Sequence, residues 1–384
     1  MMKLITGGAL IAFLALVPLF QRAGSGAADQ EVAGVDRAAQ ARQERLEPSQ
    51  QVGAAWTQDA YRQFDFWIGE WDVILRTLRG DNSWEDSRAA RAKIYRILDG
   101  RAILELWDEQ SSDNAIRGYS LRFFDPAREQ WRLFLNWPGN NRSGTSTLNG
   151  SFRHGRGEFY STQTGADGVP TISRYTFSDI SPDRLRWDDG FSVDGGRTWR
   201  ANWIMEFSRT AERAAWPGVG EAAHTFHTGE RCDLAEFREF ERLEGLHRGE
   251  IRLFDSSGTE RTSVAQLAGY RVLDGCAIMT FLEYVSGGRV HRSFSIKTFN
   301  TYIDQFEELQ LDNQPDSQVR ILYGGREGDA FRLSTRSGVH PPVRNAWKFP
   351  GAGRAVQSVE RGAGGAAWRP LETLELTRVD LSTE

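Results

Sequence analysis

The chain has 384 residues, 40% of them hydrophobic and 26% charged, a composition that suits a folded protein of two domains with sizeable cores. Its net charge of −5 removes the electrostatic basis for a nucleic-acid or anionic-membrane partner. No basic run interleaved with aromatic residues offsets that exclusion.

The first residues stand apart from the rest. Lys3 precedes an apolar run from Leu4 to Phe20, and the small residues Ala23-Gly24-Ser25-Gly26-Ala27-Ala28 follow. That order is the one of a secretory signal, here residues 1–28 with cleavage near Ala27 or Ala28. A retained anchor is the rival reading, since the run approaches spanning length. The expectation is an exported protein, periplasmic or extracellular, with no stable membrane span after processing. In an oxidising compartment Cys232 and Cys276 either pair as a disulfide or stay as two buried thiols. Residues 29–60, rich in Ala, Gln, Arg and Glu, read as a helical or disordered leader. Regular structure is expected from Trp56 and a helical segment from Asp59 to Phe66.

From Trp71 to Arg209 short Val-, Ile-, Phe-, Tyr-, Trp- and Thr-rich segments alternate with turn residues such as Asp99-Gly100, Asp125-Pro126 and Asp194-Gly195-Gly196. The spacing predicts about eight to ten antiparallel strands, as in an up-and-down barrel or a sandwich. Residues 210–236 lose apolar density and contain Pro217-Gly218, the composition of a linker. The chain then repeats itself. Tyr61 to Trp71 returns as Phe237 to His247, and Tyr95-Arg96-Ile97-Leu98-Asp99-Gly100 as Tyr270-Arg271-Val272-Leu273-Asp274-Gly275. Arg174 is matched by Arg344, and Met205 to Arg209 by Leu374 to Arg378. This is a tandem duplication of one domain type, with copies at 61–209 and 237–380.

Gly69-x-Trp71 at the start of the first strand, with Arg209 at the end of the last, resembles the lipocalin and wider calycin signature. Phe66-Trp67-Ile68-Gly69-Glu70-Trp71-Asp72 through Asp194-Gly195-Gly196-Arg197-Thr198-Trp199 is similar to an uncharacterised family of secreted bacterial lipocalin-like proteins. The resemblance covers about residues 61–209, and 237–380 more loosely. It implies an all-β chain of two tandem antiparallel up-and-down barrels. It also implies an arginine lying across the tryptophan face to close one barrel end. The second copy keeps Gly245 and Arg378 but has His247 where the first has Trp71.

The single Ser192-to-Trp199 box resembles the Asp-boxes of sialidase-like propellers, but one copy within a period of about 170 residues reads as a hairpin turn. Ten tryptophans fall between Trp56 and Trp203, and only Trp347 and Trp368 follow residue 237. Residues kept in both copies (Tyr95/Tyr270, Asp99/Asp274, Gly100/Gly275, Arg174/Arg344) point to the fold. Those special to the first copy, Trp67, Glu105, Trp107, Asn136, Trp137, Trp187 and Trp203, are candidates for lining a ligand cavity, with core packing as the competing role. Arg174 joins them as a carboxylate-binding candidate if its strand face points inward.

No catalytic residue is assignable. His154 is the one histidine of the first copy, which leaves a serine or cysteine nucleophile without a base. His247, His291 and His340 are scattered over the second, and His224-x-x-His227 near Cys232 offers three metal ligands without a fourth. The reading is an exported binding or carrier protein for a small apolar or amphipathic molecule, held mainly in the first barrel, with no cofactor and no metal. One alternative is an enzyme similar to the tandem-lipocalin carotenoid hydratases, acting on an isoprenoid-like alkene, though their Glu-Trp-Trp-Tyr-like opening is absent here. The other is a structural envelope module with filled barrels.

Overall fold

The computed structural model describes residues 48–110, 116–138, 144–164, 168–217, 232–336, 338–339, 341–362 and 367–380. The signal-like segment, most of the leader, the centre of the linker, and His224, His227 and His340 lie outside the described residues.

Two short openings start the copies: α1 (Asp59–Arg62) and α2 (Ala235–Arg238), each followed by a single 3₁₀ turn. The first copy then runs through β1 (Gly69–Leu78), β2 (Trp84–Ile97), β3 (Ala102–Glu109), β4 (Arg117–Asp125) and β5 (Gln130–Asn136). It continues with β6 (Ser146–Arg153), β7 (Arg156–Thr164), β8 (Pro170–Ser178), β9 (Arg184–Ser192) and β10 (Arg200–Ala211). The second comprises β11 (Gly245–Phe254), β12 (Glu260–Val272), β13 (Ala277–Ser286), β14 (Arg289–Asn300) and β15 (Gln305–Asp312). Its last five strands are β16 (Arg320–Glu327), β17 (Ala330–Thr335), β18 (Val343–Gly351), β19 (Arg354–Gly362) and β20 (Trp368–Arg378). Each set is a meander closed by its first and last strands, β1 on β10 and β11 on β20. Closure removes the unpaired edges that an open ten-stranded sheet would expose. The expected tandem barrels are present, at the upper end of the predicted strand count.

Period-two patterning sets which side chains enter each lumen. In β1, Trp71, Val73 and Leu75 are buried while Asp72 and Ile74 are exposed. β4 breaks this pattern and is buried on both faces. Arg122 lines the cavity of the first barrel and Ser120 bonds Glu105 beside it, while Tyr119, Leu121 and Phe123 join a core cluster shared with the second. The barrels therefore pack side by side, and the strands between them have no solvent face.

The residues common to both copies build that junction. Asp99 accepts hydrogen bonds from Arg292 at 2.7 and 2.8 Å, and its repeat mate Asp274 meets Arg117, the mate of Arg292, at 2.7 Å. The contact is reciprocal, as between two subunits related by a two-fold axis. Tyr95 and Tyr270 flank Trp216 from the linker, with ring centroids 4.1 and 6.2 Å from it. Leu98-Asp99 and Leu273-Asp274 all have φ between +53° and +60°. Left-handed backbone at a leucine is costly, and here it turns each aspartate toward the other barrel. Arg174 and Arg344 are matched too, lying 4.2 Å over Trp199 and 4.3 Å over Trp368.

Cys232 and Cys276 form a disulfide, which settles the alternative left open by the sequence. The Ser192-to-Trp199 box is a hairpin turn between β9 and β10, where Asp194 accepts hydrogen bonds from Thr198 at 2.9 and 2.7 Å. Those bonds hold its carboxyl down at about 2.

At the closed end of the first barrel the Arg209 guanidinium lies 4.0 Å over the Trp71 ring and donates to the carbonyls of Phe66, Ile68 and Pro182. The Trp71 indole N–H donates to the Trp67 carbonyl at 2.9 Å. Gly69 makes this seat possible: its φ is +128°, and a Cβ there would come within 2.3 Å of the Ala211 carbonyl and 2.6 Å of Arg209 Nη1. Gly69→Ala should therefore cost about 3 kcal/mol or more, combining backbone strain and overpacking. Gly155→Ala, at φ +74° in open space, should cost about 1 kcal/mol. Urea denaturation of both variants measures the difference, and equal losses would refute the Arg209 seat. The second barrel keeps Gly245 near Arg378, and buried His247 fills the place of Trp71. Burial, and then the Arg378 charge, push the His247 pKa down, so this floor holds a neutral imidazole at neutral pH.

Candidate functional site

The lumen of the first barrel is mostly filled. Phe64 and Trp67 from the opening segment plug one end, packed with Trp131, Phe159 and Phe177. Above this plug a cavity of about 80 Å³ remains. Trp67, Trp107, Trp137, Trp187 and Trp203 line it together with Tyr175, Phe177 and Phe207. Trp187 stands 4.8 Å from Tyr175 and 6.0 Å from Trp203 at steep interplanar angles, so the wall is a run of edge-to-face aromatics. Gly118 lets the Trp137 indole lie against β4, since a Cβ there would sit 2.6 Å from it. Trp137, Tyr175, Trp203 and Met205 are partly exposed, whereas Trp67, Arg122 and Phe207 are buried; the cavity has an outer rim and a dry base.

The base carries charge. Glu105 on β3 and Arg122 on β4 are 8% and 3% exposed and form an ion pair at 3.5 Å. The Ser120 hydroxyl donates to Glu105 at 2.6 Å, and the Arg122 guanidinium lies 3.7 Å over the Trp67 ring. Burial raises the Glu105 pKa against the opposing pull of Arg122 and Ser120. Burial likewise pulls Arg122 down to about 10, which leaves it charged at neutral pH. Arg122 Nε and Nη1 and the Trp67 and Trp203 indole N–H groups have no hydrogen-bond partner among the described residues. On β9, paired in register with Tyr175 and Trp203, burial and then the neighbouring Asp188 push Asp189 up to about 6.

Six of the sequence candidates thus share one cavity: Trp67, Glu105, Trp107, Trp137, Trp187 and Trp203. Two do not. Tyr175 and Phe177 point inward, so strand alternation turns Arg174 outward onto Trp199. Asn136 is buried, but its amide donates to Thr145, whose backbone N–H donates to Glu307 of the second barrel; it belongs to the junction. Arg122 was not singled out from the sequence. Its signal was available: it sits two residues after Ser120, and its repeat mate is Lys297, a second cation at the same strand position.

The second barrel also keeps a cavity, of about 110 Å³, although the sequence reading places the ligand mainly in the first. The physical reason is replacement of large indoles: Gln357 and Glu372 take the places of Trp187 and Trp203, and Thr280 that of Glu105. Lys297 pairs with Glu308 at 3.0 Å, both nearly inaccessible, and Asn345 donates to the same carboxylate at 3.1 Å. Among the described residues no group of three or more His, Cys, Asp or Glu side chains is arranged to hold a metal ion.

Fold and cavities together define a chain of two tandem, closed, ten-stranded antiparallel β-barrels. No family model matches the chain, and no curated protein matches it. Among solved structures it is similar to a protein of unknown function of the DUF3598 family from Nostoc punctiforme PCC 73102. That match covers 84% of this chain and 100% of the other, at 10% identity and a TM-score of 0.25. No residue or activity is carried over at that similarity, and the fold rests on the strand pairing described above.

Proposed function

We propose that the protein binds a small amphipathic molecule in the first barrel, its apolar body against the tryptophan wall and an anionic or acceptor-rich head toward Arg122. The observation that carries this reading is a buried guanidinium with unused donors at the base of an aromatic cavity. A buried charge with unspent hydrogen bonds is costly, and an acceptor group offsets that cost with charge-assisted bonds. Size favours a small ligand: about 80 Å³ is roughly half of the ~150 Å³ apolar cavity that takes up benzene. A longer molecule, such as an isoprenoid, would have to displace the rim or protrude past it. Export of such a carrier is supported by the N-terminal apolar run and by the Cys232–Cys276 cystine, which suits an oxidising compartment.

The enzyme reading keeps one support, the raised pKa of Glu105 inside the cavity. In that reading Glu105 would serve as the general acid, with Arg122 and Ser120 opposing its protonation.

Titrating tryptophan fluorescence with short carboxylates, from acetate to butyrate, tests the binding reading. Saturable quenching is expected, and Arg122→Met should weaken it at least tenfold, about 1.4 kcal/mol. Absence of quenching by every member of the series, or equal affinity in Arg122→Met, would sink it. Turnover separates the two readings: an enzyme converts its ligand and loses that conversion in Glu105→Gln while keeping affinity, whereas a carrier returns the ligand unchanged before and after the substitution.

A further inference from the structure

The cavity of the second barrel has a different chemistry from the first, and the equivalence of positions is fixed by register. Trp187 pairs with Met205 across β9 and β10, as Gln357 pairs with Leu374 across β19 and β20. Gln357 and Glu372 therefore occupy the wall positions of Trp187 and Trp203, and a dry aromatic wall has become a polar one.

Most charges lining this cavity are already satisfied. Lys297 and Glu308 neutralise each other at 3.0 Å. Arg292 is committed to Asp99 and Glu283, each at 2.7 Å. Asp312 accepts from the Gln314 backbone N–H at 2.9 Å. Beside Asp312, which has a hydrogen bond but no cationic partner among the described residues, stand two opposite charges, Arg320 on β16 and Glu372 on β20. Both line the cavity, and neither side chain has a hydrogen bond or an ion pair within 4 Å among the described residues. Burial raises the Glu372 pKa, and the nearby Arg320 charge opposes that rise. The same wall offers Gln357, 6% exposed, and the indole N–H of Trp347, 2% exposed and without a partner among the described residues. Arg320 and Glu372 are half-buried, and Arg320 Nε is buried with no partner among the described residues, so both charges are partly desolvated without an ion pair. A ligand that carries the complementary charges relieves both at once.

We propose that the second barrel is a separate binding site for a small zwitterion, with Arg320 receiving its carboxylate and Glu372 its protonated amine. Gln357 bonds the polar groups between them, donating and accepting through one amide. The volume limits the ligand to a molecule no larger than benzene, since about 110 Å³ falls below the ~150 Å³ that accommodates that ring. The site is independent of the first barrel's ligand, because it shares no lining residue with the aromatic cavity.

Isothermal titration calorimetry on the full chain decides the matter. Glycine and alanine are the zwitterionic probes, propionate and ethylamine carry one charge each, and glycerol carries none. Saturable binding of glycine or alanine is expected, with the single-charge probes and glycerol at least tenfold weaker. Glu372→Gln and Arg320→Gln should each weaken zwitterion binding tenfold or more. If a variant fails to fold, the comparison among probes on the unaltered chain still decides. Equal binding of glycerol or ethylamine, no zwitterion binding at all, or full binding by folded Glu372→Gln would each overturn the proposal. Carboxylate quenching in the first barrel reads a different cavity, so the two readings fail separately; propionate heat lost in Arg122→Met belongs to the first site.

Discussion

Arg117→Ala is expected to destabilise the folded chain by about 3–5 kcal/mol, the largest single-residue loss predicted for this molecule. Arg117 and Asp274 are 7% and 8% exposed in their side chains and meet at 2.7 Å across the barrel junction. Arg117 also holds Asp108 at 3.0 Å, so truncation removes the cation shared by two carboxylates, of which Asp274 is buried. The loss comes from the charges left behind rather than from the bond removed. The repeat-related pair supplies an internal control. Asp99 and Arg292 are 18% and 30% exposed, and solvent screens them, so Arg292→Ala should cost about 1 kcal/mol. Urea denaturation of both variants measures the contrast. Equal small losses would mean that the junction is held by its apolar surface alone.

Removal of the disulfide is the second large effect. Cys232 and Cys276 are 44 positions apart, and a closed loop of that length restricts the unfolded chain by about 4 kcal/mol on the chain-entropy account. The crosslink fastens the start of the second copy to the turn before β13, where Cys276 replaces the Arg101 of the first copy. Cys232→Ser/Cys276→Ser, or reduction of the unaltered chain, should therefore lower the melting temperature by several degrees. Identical melting of the oxidised and reduced chains would contradict this.

The duplication was legible in the sequence because it rests on residues that cannot be exchanged freely. Gly69 and Gly245 need positive φ beside an arginine, and the Leu-Asp-Gly turns need the aspartate that crosses to the other barrel. What the repeat signified was less legible. Tyr95, Asp99 and their mates specify the junction between barrels as well as each barrel, and a junction leaves no periodic mark of its own in one strand. The cavity was legible in part. Six candidates converge because inward-facing indoles of one barrel must meet in its lumen. Arg174 and Asn136 fall elsewhere because strand facing depends on register, which alternation alone leaves two-fold ambiguous. Arg122 was hidden for a related reason. β4 alternates as Tyr119-Ser120-Leu121-Arg122-Phe123, a pattern that ordinarily turns its polar side chains to solvent, whereas here both faces are buried and Arg122 points inward. The cavity of the second barrel was masked by a count of tryptophans, which reported loss of an aromatic wall and not gain of a polar one.

The most direct test of the central claim, that the barrels are binding chambers rather than filled supports, is native mass spectrometry of the full chain purified from its natural source. Organic and aqueous extraction of anything bound would follow. The account predicts a discrete adduct of low mass, released on denaturation, with an acidic or acceptor-rich head, and loss of that adduct in Arg122→Met. A protein that is bare on isolation, and stays bare after exposure to small carboxylates and zwitterions, would contradict it and leave two solid barrels joined for structural reasons.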